Sequence, residues 1–153
     1  MEWPRIFWCG GGAATAAALG WAGATLSLAG KAPVGLLSIG IGLALGLVLV
    51  GLAEITHSRE RRMLIIGTLV FAFLTVLAEH AWLYRAYRQQ WWKNRVEQPA
   101  VALFRPETEP LSVVAYFRRE FEYSPRQGMV WALDAALIAS ASVGLVILRR
   151  CHE

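Results

Sequence analysis

Charge is scarce in this sequence. Charged residues make up 17% of its 153 residues, against 56% hydrophobic ones, where a soluble domain averages about 25% charged. Cysteine is scarcer still, with Cys9 near one end of the chain and Cys151 near the other. No CxxC pair and no Cys/His metal spacing can be drawn from two distant thiols, which argues against a zinc or dithiol centre. The HExxH helix, the Ser/His/Asp nucleophile pattern and the phosphate-binding glycine loop are also absent. Gly10-Gly11-Gly12 opens an apolar stretch and lacks the Lys and Ser/Thr that a phosphate loop needs. The expectation is therefore no catalytic residues, no cofactor and no bound metal.

What the sequence has instead is long uncharged runs. Residues 6–29 and 34–53 carry no charge. Residues 63–78 carry none either, and after Glu79 and His80 the chain stays apolar to Tyr84. Residues 128–148 contain Asp134 alone. A membrane helix needs roughly 17–25 mostly apolar residues to cross about 30 Å of hydrocarbon. A soluble bundle of buried helices would need polar faces, which the first two runs lack. The first run also looks like a secretory leader ending at Ser27-Leu28-Ala29, but it is longer than a usual leader core and reads as a retained helix. Cys9 follows bulky Ile6, Phe7 and Trp8, so it does not read as a lipid-attachment site.

The fold class expected is an all-α integral membrane protein, a single domain over 1–153. It has about four transmembrane helices, near 6–29, 34–54, 63–92 and 128–148. Gly30-Lys31-Ala32-Pro33 is a short link, so the first two helices read as a tight N-terminal hairpin. Both carry small residues at four-residue steps, Ala16 and Gly20 on the first and Ser38, Gly42 and Gly46 on the second. That spacing lets membrane helices approach closely. It suits either the hairpin contact or a docking face for another subunit.

The third helix continues past the apolar run. Trp82, Tyr84, Tyr87 and Trp91 mark an aromatic belt at the interface, with Arg85 and Arg88 reaching toward headgroups. Prolines punctuate the connection over 93–127. Between Pro110 and Pro125, Val113, Phe117 and Phe121 share one helical face, with Val114 beside them. Residues 111–122 therefore read as a short amphipathic helix, lying on the membrane, on a partner, or on the chain's own connection.

Sidedness is divided. Arg5, Arg59, Arg61, Arg62, Arg149 and Arg150 would share one side. Lys31, Arg85, Arg88, Lys93, Arg95, Arg105, Arg118, Arg119 and Arg126 would share the other. The first group is packed into short segments against helix ends, which favours a multi-pass cell-membrane protein with both termini in the cytoplasm. The net charge of +4 has the same topological and lipid-contact origin and does not indicate nucleic-acid binding.

Ionisable groups within the apolar runs are the candidates for chemistry. Glu54 ends the second helix beside His57 and Arg59 and reads as interfacial. Glu79 lies about 8 Å below the Tyr84 boundary and Asp134 about 9 Å below that at Gly128, at 1.5 Å per residue. The two helices run in opposite directions, so Glu79, His80 and Asp134 arrive at one depth. That cluster suits a proton relay or cation site, or a structural contact between His80 and Asp134. A bis-histidine haem is disfavoured because His57 and His80 lie toward opposite faces, although a lone His80 could ligate a pigment with another subunit's help. The function expected is a non-enzymatic accessory or structural subunit of a multi-subunit membrane complex, in contact with lipids and other membrane subunits. The alternative is a small homo-oligomeric transporter or channel protomer using the Glu/His/Asp cluster. A membrane enzyme acting on lipid or quinone ranks last.

Overall fold

The computed structural model describes residues 3–30, 35–57, 61–97, 109–123 and 125–150. Five helices follow in order: α1 (Trp3–Leu28), α2 (Leu36–Ile55), α3 (Arg61–Glu97), α4 (Val113–Tyr123) and α5 (Pro125–Arg150). No strand occurs among the described residues. Expectations for Pro33, Arg59 and Cys151, and for the side chain of Phe121, fall outside the described residues.

Local chemistry sets the helix ends. Gly30 adopts φ +63 and its N–H donates to Ser27 O, a left-handed stop that costs glycine nothing sterically. His57 adopts φ 49 after α2, and its N–H donates to Glu54 O. The Ser112 hydroxyl accepts from Ala115 N–H at 3.3 Å, capping the start of α4. Pro125 opens α5, where a missing N–H leaves no bond unmade. α3 meets no proline and runs for 37 residues.

The four long helices form a bundle. α1 packs chiefly on α3, and α2 chiefly on α5. The α1–α2 and α3–α5 contacts are smaller, and α2 touches α3 across the middle. This corrects the tight hairpin: the first two helices are neighbours, but each has its main partner elsewhere. Gly42 and Gly46 face α5 rather than α1. A Cβ on Gly42 would sit 2.7 Å from Ile138 O and 2.9 Å from Ala141 Cβ. One on Gly46 would sit 3.0 Å from Ser142 Cα. Small-residue spacing marks a face for close approach but does not name the helix that fills it.

On the other side of the bundle, Gly20 lies against α3, where a Cβ would sit 2.7 Å from Thr75 O and 2.8 Å from Glu79 N. Ala16, one turn earlier, is buried on the same face. Trp8 is 1% exposed. Its ring lies over Gly67, meets Phe71 edge-on at 5.3 Å and donates its indole N–H to Leu49 O at 3.2 Å. One residue thus ties α1 to both α2 and α3. The remaining core is Ile41, Leu45 and Leu49 of α2, Leu64, Phe71 and Ala72 of α3, and Ile138 and Val146 of α5.

Polarity is distributed unlike that of a soluble bundle. Thr68, Thr75 and Ser142 are fully buried, each hydroxyl donating to a carbonyl one turn back at 2.7–2.8 Å, so the buried hydroxyls are satisfied within their own helices. Large apolar side chains cover the outside instead, among them Phe7, Leu47, Phe73 and Leu133. An exposed apolar surface of that extent marks an interface with membrane or protein. Among the described residues, three helices are long and apolar enough to cross a membrane: Leu36–Ile55, Arg62–Glu97 and Met129–Leu148. The sequence runs lead one to expect about four. α1 has the length, at 26 residues, but its triple glycine, three tryptophans and Arg5 dilute its apolar character.

Candidate intramembrane polar site

Consecutive side chains point about 100° apart on a helix, so Glu79 and His80 of α3 address different neighbours. Glu79 turns toward α1. It accepts a hydrogen bond from Ser27 Oγ at 3.2 Å, and a Cβ on Gly23 would meet its carboxyl group at 3.3 Å. His80 turns toward α5 and α4. Its ring lies against Trp131 at 3.8 Å between centroids and 33° between planes. Phe117 of α4 meets the imidazole edge-on at 6.1 Å and 90°, and meets Trp131 at 5.8 Å and 85°. His80 Nδ1 is buried and has no hydrogen-bond partner among the described residues.

Asp134, half-buried on α5, takes its direct partner from α2: Ser38 Oγ donates to Oδ1 at 2.6 Å. Depth along the helices points instead to His80, to Glu79 or to a polar group of another subunit for that role. Asp134 lies close enough to both for its charge to act on them, but its hydrogen bond goes to the serine. The three ionisable side chains therefore gather at one end of the bundle as separate, helix-bridging contacts. Among the described residues, no three His, Cys, Asp or Glu side chains converge closely enough to hold a metal ion.

Ser27 and Trp131 join the site without having stood out in the sequence, and Ser38 joins it in a role different from the one expected. Trp131 stands three residues before Asp134, hence on the same face of α5, and that spacing is readable. Ser38 reads as a packing residue by its size, and its hydroxyl does the bonding.

Of the residues expected at an interface, Trp82, Tyr84, Tyr87 and Trp91 lie on the extension of α3. Tyr84 Oη donates to Leu111 O at 2.9 Å. Tyr116 of α4 packs on Tyr84 at 5.4 Å and on Tyr87 at 5.0 Å. Arg85 lies over the Trp82 ring at 5.0 Å, and Arg95 over Trp91 at 4.9 Å. Trp91 is nearly buried beside exposed Trp92. Val113 and Val114 are exposed, Val114 to 76%. Among the described side chains of α4, Tyr116 and Phe117 face inward, whereas Val113, expected to share a buried face with Phe117, is exposed. No known protein family, curated protein or solved structure matches this chain.

Proposed function

We propose that this chain is a non-enzymatic structural subunit of a larger membrane complex, with α1 as a fourth crossing helix and α4 at the membrane–water boundary. The observation that carries this reading is the pairing of polar groups across the bundle. Ser38 serves Asp134 and Ser27 serves Glu79, so the costly polar groups join helices, while apolar side chains on all four long helices face outward. Lipids and other membrane subunits are the partners such a surface fits. α1 supports a crossing role because its buried face, from Trp8 to Ala24, is packed within the bundle along its length. Arginine density beside the helix ends supports cytoplasmic termini in the cell membrane.

Purification of the tagged chain in mild detergent tests the proposal. The expected result is a particle containing different membrane subunits at fixed stoichiometry. A pure homo-oligomer that conducts protons or cations in proteoliposomes overturns it. That second outcome is what a transporter or channel protomer would give. Its support is the gathering of Glu79, His80 and Asp134 at one end of the bundle.

A further inference from the structure

A single stripe runs along most of α3. Leu64, Thr68, Phe71, Thr75 and Ala78 follow at alternating steps of four and three, the spacing by which a helix keeps one face on a neighbour. Phe71 lies against Gly12 of α1, and Ala78 against Gly20. The same steps continue after α1 has ended. α1 stops at Leu28, one residue after the Ser27–Glu79 bond, and the stripe goes on through Trp82, Arg85, Gln89, Trp92 and Val96. All five are exposed, Trp92 to 51% and Val96 to 77%. The ring contacts of α4 fall on His80, Tyr84 and Tyr87, about half a turn round the helix from this stripe.

Charge and height decide what the exposed stripe fits. From Trp82 to Glu97 the chain has four basic residues, Arg85, Arg88, Lys93 and Arg95, and one acid, Glu97. Arg85 lies in the stripe, with Arg88 on one flank and Lys93 on the other. Lys93 approaches Glu97 at 3.9 Å, an exposed pair of little strength. Trp92 and Val96 stand about 12 Å and 18 Å beyond Tyr84 along the helix, whereas the headgroup zone on one side of a bilayer is about 5–8 Å deep. Lipid phosphates thus reach Arg85 and Arg88 but not Trp92 or Val96. A second copy is a poor fit as well. Copies inserted alike in one membrane run parallel, which stacks Arg85 on Arg85 and sets Arg88 beside the other copy's Lys93. Like charges so placed select against the pair. Tryptophan and arginine together are the usual anchors of a protein interface.

We propose that the exposed stripe of α3 docks an acidic amphipathic helix of a partner membrane subunit, which takes over where α1 ends. The docking rests on the subunit role proposed above and gives that role a surface and a charge. The partner helix sets apolar side chains on Trp92 and Val96 and carboxylates beside Arg85, Arg88 and Lys93. Gln89, polar and central in the stripe, fixes the register.

Site-specific photocrosslinking of the full chain, in membranes of its own cell, tests the docking. A benzophenone side chain is placed at each position from 85 to 97 in turn, and the cross-linked peptides are sequenced by mass spectrometry. The expected adducts come from positions 85, 89, 92 and 96, with few from 90 and 94. All should reach one helical segment of a different membrane protein, in which Asp and Glu outnumber Lys and Arg. Arg88→Glu should lower the yield from position 89 roughly tenfold. It should leave thermal unfolding of the isolated chain unchanged, because Arg88 is exposed. Lys93→Gln, on the other flank, should lower the yield in the same direction. Adducts only to lipid, to a second copy or to the chain's own residues 98–108 overturn the docking, as does the lack of any adduct. A partner segment that is not acidic, or a yield unmoved by both variants, overturns it too. A chain that co-purifies with other subunits but gives no such adducts keeps the subunit role and loses this surface. A chain that purifies alone loses both.

Discussion

Ser38 and Asp134 lie 96 residues apart in sequence and share a hydrogen bond of 2.6 Å, joining the first turn of α2 to the third turn of α5. A serine hydroxyl thereby meets part of the need of a carboxyl group set among apolar side chains. Ser38→Ala should destabilise the bundle by about 1–2 kcal/mol, because it leaves the carboxyl group without its donor. Asp134→Asn keeps an acceptor for Ser38 and removes the charge, so it should be neutral or mildly stabilising. Thermal unfolding in detergent checks both signs. A neutral Ser38→Ala would show that the bond contributes nothing to the fold.

The glycines of α2 offer a contrast on one helix. Gly42→Ala forces a methyl group toward Ile138 O and should cost about 1–3 kcal/mol as the helices shift apart. Gly40 faces open space, and a Cβ there would meet nothing within 4 Å. Gly40→Ala should therefore leave stability unchanged or improve it by up to about 1 kcal/mol through helix propensity. Equal effects at the two sites would refute the close α2–α5 crossing.

Trp8 is the largest fully buried side chain among the described residues. Trp8→Ala should cost about 3–5 kcal/mol through the cavity it leaves. Trp8→Phe should cost less, with the lost bond to Leu49 O as its main component. Gly67→Ala should resemble the alanine variant, since its methyl group would drive into the indole ring. Unfolding followed by tryptophan fluorescence would rank the three, and a harmless Gly67→Ala would contradict the placement of Trp8.

Crossing by α1 makes a topological prediction. In a background with Cys9 and Cys151 replaced, single cysteines at Ala29 and at His57 are separated by α2 alone. An impermeant thiol reagent should label one of them from outside the cell and the other only after permeabilisation. With α1 crossing, a cysteine at Phe7 should follow the pattern of His57. Labelling of Phe7 from the same side as Ala29 would leave α1 on the surface.

Much of the secondary structure is legible in the sequence. Unbroken apolar runs locate the long helices, and the lack of Gly or Pro beyond Tyr84 carries α3 into its polar extension, five residues further than the 92 expected. Ser112 and Pro125 frame α4 and α5 through cap chemistry. Pairing is not legible. A Ser-Gly-Gly stripe looks alike whether it meets the next helix or the last, and here steric fit to Ile138, Ala141 and Ser142 decides. Depth along the helices brings Glu79, His80 and Asp134 to one end but leaves rotation about each helix axis open. That rotation turns Glu79 to Ser27, Asp134 to Ser38 and His80 to Trp131.

The length of α3 has a mechanical consequence. At 1.5 Å per residue its 37 residues make a rod of about 55 Å, nearly twice the thickness of the hydrocarbon layer. Tyr84 and Tyr87, braced by Tyr116, act as a collar part-way along it, and the stretch from Gln89 to Glu97 projects beyond as the short arm of a lever, about 13 Å long. A tilt of a few degrees in the bundle becomes a displacement of about one ångström at Trp92 and Val96, whose exposed side chains would transmit it to whatever they touch.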